Sequence, residues 1–108
     1  MNYVEFNVSG KEYKLRLSVR SVVALEKALG KNPIYIFMNK ENNNIPTIEE
    51  MVMVLAHALK AYHPELTMDD AYDLFDKWID EEHIMGDFVQ VLTELYILSG
   101  LFKKQEKN

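Results

Sequence analysis

Apolar and polar residues alternate over residues 3–17. Val4, Phe6 and Val8 enclose Glu5 and Asn7; Tyr13, Leu15 and Leu17 enclose Lys14 and Arg16. A period of two describes strands with one buried face, and Ser9-Gly10 between the runs is a turn signal. A two-residue loop at Ser9-Gly10 sets Phe6 opposite Tyr13, Val4 opposite Leu15 and Glu5 opposite Lys14. A loop at Gly10-Lys11 also keeps apolar opposite apolar, whereas a one-residue slip does not. The segment predicts a β-hairpin. Two strands alone are marginal in water, so its apolar face must rest on the remaining chain.

Beyond Ser18 the period becomes helical. Ser18 suits the N-cap of a helix over 19–29, stopped by Gly30 with Pro33 soon after. The run from Pro33 to Met38 predicts a short helix with proline in its first turn. Residues 39–44 form an Asn-rich polar loop, the expected mobile segment. Thr47 and Glu50 make a capping box that opens a helix over 48–62. Ile48, Met51, Val52, Leu55, Leu59 and Tyr62 share one face of it, and Met53, Val54, Ala56, Ala58 and Ala61 extend the apolar surface around it. Such a helix is expected at the centre, and Pro64 ends it.

Thr67 with Asp70 caps the next helix, over 68–82. Met68, Ala71, Tyr72, Leu74, Phe75, Trp78 and Ile79 fall in one sector of it and six carboxylates in the other, so Phe75 and Trp78 are expected in the core. Glu82, His83 and Gly86 predict a break. A last helix over 84–98, with Ile84, Met85, Phe88, Leu92, Leu95, Tyr96 and Leu98 among its apolar positions, closes at Gly100. Leu101-Phe102 then mark the end of one domain over 1–102, and residues 103–108 read as a flexible polar tail. The expected fold class is α+β: an N-terminal β-hairpin packed on a bundle of about four α-helices.

Composition narrows the function. A chain of 108 residues with 48% hydrophobic content suits one core. Its net charge of -5 opposes a phosphate backbone, so no nucleic-acid partner is expected. The longest purely apolar run, Met51 to Ala56, is far below the ~20 residues that span a bilayer, so no membrane partner is expected either. Without cysteine there is no disulfide, thiolate chemistry or Cys-based zinc site, and a reducing cytoplasm is the expected compartment. The opening MNYVEFNVSG lacks the basic and apolar regions of a signal peptide.

Catalytic groupings are missing at the level of spacing. His57 and His63 point to different helical faces and His83 is remote from both. The carboxylates line a polar helix face, which reads as solvated surface or as a docking face for a basic partner. No P-loop, GxGxxG or nucleophile elbow occurs. The expectation is a protein with no catalytic residues, no cofactor and no metal, and not an enzyme. The candidate protein-binding residues are Ile34, Tyr35, Phe37 and Met38, between a proline and the Asn-rich loop, and Leu101 and Phe102 before the charged tail. The first four, with Ile97, also suggest weak self-association into a homo-oligomer.

Several segments in order carry a family likeness: Val4-Glu5-Phe6-Asn7-Val8 with Gly10 to Leu17; Leu25-Glu26-Lys27, Leu29-Gly30 and Asn32-Pro33; Ala58-Leu59-Lys60 and Tyr62-His63-Pro64; Ala71 to Asp76; Asp87-Phe88, Tyr96 and Ser99 to Phe102. Together they resemble the small tail assembly chaperones of siphophages and prophages of low-GC Gram-positive bacteria. The resemblance implies a cytoplasmic protein of the infected bacterial host cell that is not part of the mature virion. It implies binding to the tape measure protein, which is kept soluble until tail tube protein subunits assemble around it. It also implies a longer form made by ribosomal frameshifting near Lys103-Lys104. A helical protein-protein adaptor or regulatory binding module unrelated to tails fits the residue pattern equally.

Overall fold

The computed structural model describes residues 2–103. Strands β1 (Val4–Val8) and β2 (Lys11–Leu15) precede helices α1 (Val19–Leu29), α2 (Ile48–Leu59), α3 (Met68–Asp80) and α4 (Phe88–Ser99). Short 3-10 helices cover Pro33–Phe37, Lys40–Asn42 and Met85–Asp87. The fold is α+β, a hairpin followed by four α-helices, as its pattern predicts.

The strands pair antiparallel with Val4 opposite Leu15, Glu5 opposite Lys14 and Phe6 opposite Tyr13, which selects the Ser9-Gly10 loop. Both loop residues take positive φ, 53° and 75°, the turn geometry that matches strand twist. Phe6, Val8 and Leu15, with Leu17 just beyond, are buried. Strand β1 lies against α3 and α4, and β2 against α2. The outer edge of β2 is tied to the end of α2. The Arg16 amide donates to the Ala58 carbonyl at 2.9 Å, and the Lys14 amide donates to His63 Nε2 at 3.1 Å.

Helix α2 is central because it is apolar on most sides. It touches α1, α3, α4 and β2, and Val52, Val54, Leu55, Ala58 and Leu59 are wholly buried. Phe6, Phe75, Trp78 and Phe88 form an aromatic cluster beside it, with ring centroids 5.1–6.0 Å apart. Phe75 and Trp78 are core residues, as expected.

The helix starts follow their caps. Thr47 Oγ1 accepts from the Glu50 amide at 3.1 Å and Glu50 Oε1 from the Thr47 amide at 2.9 Å; Thr67 and Asp70 repeat the exchange at 3.1 and 2.8 Å. The backbone hydrogen bond from Thr67, then that from its hydroxyl, holds the Asp70 carboxyl below its ordinary range.

Three boundaries differ from expectation. Helix α2 stops at Leu59 rather than 62, where its last turn tightens through Lys60 N to His57 O and Tyr62 N to Leu59 O before Pro64. Helix α3 stops at Asp80 rather than 82, and Glu82 takes φ 70°. The last helix begins at Phe88 rather than 84, because Asp87 Oδ2 accepts from the Ile84 amide at 3.0 Å and folds residues 84–87 into a separate turn. Ile48, Tyr62, Tyr72, Ile84, Met85 and Leu98, all read as members of apolar helix positions, are exposed. The Asn-rich loop carries a turn of its own. It turns through Lys40–Asn42, and Asn43 and Asn44 adopt positive φ, a conformation asparagine tolerates. Lys103 is exposed; the remainder of the expected tail, residues 104–108, lies outside the described residues. Among the described residues no helix is long and apolar enough to cross a membrane.

Candidate functional site

The segment Pro33–Phe37 owes its shape to its first two residues. Asn32 Oδ1 accepts from the Ile34 amide at 3.0 Å, and Pro33 sits in the first turn. In a 3-10 helix residues three apart share a face. Pro33 and Ile36 are buried, Ile34 and Phe37 are half-buried, and Tyr35 and Met38 point outward, 55% and 59% exposed. The period of three thus divides the four candidates of this segment into two that seal and two that are presented.

The second candidate segment folds onto the first. Gly100 takes φ 85° and ends α4. The Leu101 and Phe102 amides then both donate to the Tyr96 carbonyl, at 2.9 and 3.0 Å. The reversal drops Phe102 against Tyr96 and Phe37, and the three rings form a triangle with centroids 5.1 Å apart on each side. Tyr96 is fully buried, and its hydroxyl donates to the Pro33 carbonyl at 3.0 Å. Burial, and then the charge of Glu50, push that hydroxyl above the ordinary tyrosine range, so it remains a donor. Leu101, Phe102 and Phe37 pack against the core. Phe37 and Phe102 therefore join the two candidate segments, and Tyr35 and Met38 are their exposed members.

A second apolar surface lies across the Asn-rich turn. Ile45, Pro46, Ile48, Met51, Met85 and Gly86 line a groove of about 410 Å³. Ile45, Ile48 and Met85 are each more than a third exposed, and the neighbouring Ile84 is 70% exposed. Periodicity had counted Ile48, Ile84 and Met85 among apolar helix positions; the signal that could have found this groove is Gly86, a break inside an apolar run. The two surfaces are bridged from Lys31, two residues before Pro33, to Glu50, next to Met51. Lys31 Nζ lies 2.7 Å from Glu50 Oε2. Burial raises the Glu50 carboxyl, but hydrogen bonds from Lys31 and from the Thr47 backbone and hydroxyl outweigh it and hold the group below its ordinary range.

The histidines have structural partners. His57 Nδ1 lies 2.8 Å from the Met53 carbonyl, His63 accepts from Lys14, and His83 stacks flat on Trp78 at 4.0 Å. Among the described residues no group of three or more His, Cys, Asp or Glu could hold a metal ion.

Residues 4–108 match the protein family described as "Family of unknown function (DUF6096)". No curated protein and no solved structure matches the chain. The match spans nearly the whole sequence, and the chain belongs to this family.

Proposed function

We propose that this member of the DUF6096 family is a non-enzymatic, protein-binding domain that acts as a phage tail assembly chaperone. In this reading it works in the cytoplasm of the bacterial host. It binds the tape measure protein, helps recruit tail tube subunits, and is left out of the mature virion. No cofactor takes part. The observation that carries the reading is the contrast between a closed core and an open apolar surface. Among the described residues no buried side-chain polar atom lacks a partner. Yet eleven large hydrophobic side chains of the described residues are exposed, among them Tyr35 and Met38 on one surface and Ile45, Ile48 and Met85 at the groove. Grouped apolar exposure marks contact surfaces. A net charge of -5 gives such a domain the means to keep an apolar client in solution. Repeated weak contacts along one long client, with weak association between neighbouring copies through Tyr35 and Met38, follow from the same surface.

Co-expression tests the reading. A tape measure protein encoded beside this gene should move from the insoluble to the soluble fraction with this chain, and the pair should co-elute. A tape measure protein equally insoluble in both conditions defeats the tail reading. Capture of a different helical protein, with a gene neighbourhood free of tail genes, favours the adaptor reading.

A further inference from the structure

We infer that the groove lined by Ile45, Ile48, Met51, Met85 and Gly86 receives an amphipathic α-helix whose apolar stripe is flanked by lysine or arginine. This deepens the client-binding reading above and rests on it. Three observations specify the occupant.

The first is Gly86. Gly10, Gly30 and Gly100 sit at φ 75°, 74° and 85°, where a side chain is strained. Gly86 does not share that backbone, and a Cβ built on it would meet only Ile84 Cδ1, at 4.0 Å. The fold gives no internal reason for glycine there. Its effect is external: it leaves the groove wall open to close approach by another backbone.

The second is the state of the groove's own backbone. The Thr47 amide donates to Glu50 Oε1 at 2.9 Å, the Ile84 amide to Asp87 Oδ2 at 3.0 Å, and the Ile45 and Asp87 amides to the Asn42 and Ile84 carbonyls at 3.0 Å each. These four donors are engaged and closed to an added strand. A partner that satisfies its own backbone, a helix, fits such a surface.

The third is charge. Glu41, Glu49 and Asp87 are exposed and adjoin the lining residues Asn42, Ile48 and Gly86 in sequence. Of the two lysines in these segments, Lys31 is engaged with Glu50, which leaves Lys40 against three carboxylates. An acidic rim around an apolar floor complements a helix with basic flanks.

The test uses the full chain and a synthetic amphipathic peptide of about five turns, with leucine along one stripe and lysine on both flanks. A second peptide carries the same stripe with glutamate flanks. Binding is followed by backbone amide chemical shifts. The lysine peptide should shift residues around Ile45, Ile48, Met85 and Gly86, and should bind at least about tenfold more tightly than the glutamate peptide. Gly86→Leu should weaken it at least about tenfold with the melting temperature retained. Should that variant fail to fold, Ile48→Ser serves as the second variant. Shifts centred on Tyr35 and Met38, equal binding of both peptides, or undiminished binding by both groove variants would each overturn the assignment. The client-binding reading is separated by co-expression. If Gly86→Leu keeps a tape measure protein soluble as well as the parent chain does, the groove assignment fails while the chaperone role stands. If the parent chain gives no solubility while the lysine peptide still docks in the groove, the chaperone role fails and the groove stands.

Discussion

The surface around Tyr35 and Met38 and the groove around Ile48 and Met85 lie on opposite sides of one Asn-rich turn, and the fold has treated them differently. On the first, Phe37 and Phe102 have closed over Tyr96, so most of the apolar material is internal and two side chains remain outside. On the second, Ile45, Ile48, Ile84 and Met85 all stay exposed around an open floor. Both surfaces are built from short 3-10 turns. The difference is the anchor. The first turn is held by a buried tyrosine hydroxyl and a helix C-terminus that folds back on it. The second is held by His83, which stacks on Trp78, and by the Ile84–Asp87 hydrogen bond within the turn itself. An apolar cluster that the chain itself covers contributes to stability, and one that it leaves uncovered is free to contribute to binding.

The largest expected effect lies in the aromatic cluster on which His83 rests. Trp78→Ala should cost about 3–5 kcal/mol, because it removes a buried aromatic side chain from the core and the support for His83. Chemical denaturation checks it, and an unchanged midpoint would mean that the ledge bearing Ile84 and Met85 does not rest on this core. On the closed surface, Tyr96→Phe should cost about 1–3 kcal/mol by leaving the Pro33 carbonyl without its donor. It should also raise exchange of the Ile34 and Tyr35 amides, whereas amides of the 84–87 turn should stay unaffected.

A smaller effect tests the bridge between the two surfaces. The Glu50 carboxyl is held below its ordinary value of 4.5, so its stabilising contribution is full above that value and is lost as pH falls through the lower folded value. Glu50→Gln should therefore lower the melting temperature most at neutral pH and converge with the parent in acid, which flattens the acid limb of the profile. A parallel profile displaced equally at every pH would exclude the linkage. The smallest effect is expected in the open groove. Ile48→Ser and Met85→Ser, at side chains 43% and 44% exposed, should each change stability by less than about 0.5 kcal/mol. A loss of several kcal/mol in either would show that the groove is structural, and the distinction between the two surfaces would collapse.

Much of the fold was legible because its signals are local. The hairpin parity, the Thr47–Glu50 and Thr67–Asp70 boxes and the stops at Gly30 and Gly100 each involve residues within a few positions, and each stands where the pattern puts it. Periodicity also identified α2 as central, since residues on most of its faces are apolar. It failed at the ends. Ile48 and Ile84 continue a helical phase, but at a terminus the neighbouring elements have already diverged and leave them exposed.

The sequence by itself determined the hairpin and its even register, four helices with their caps, the core place of Phe75 and Trp78, and two apolar segments near residues 34–38 and 101–102. The tertiary structure alone decided that those two segments are joined, that Phe37 and Phe102 seal while Tyr35 and Met38 are presented, and that a second apolar face opens beside Gly86. The physical reason is range. Alternation, caps and helical phase are set by neighbours along the chain, whereas the exposure of an apolar side chain depends on whether a distant element arrives to cover it.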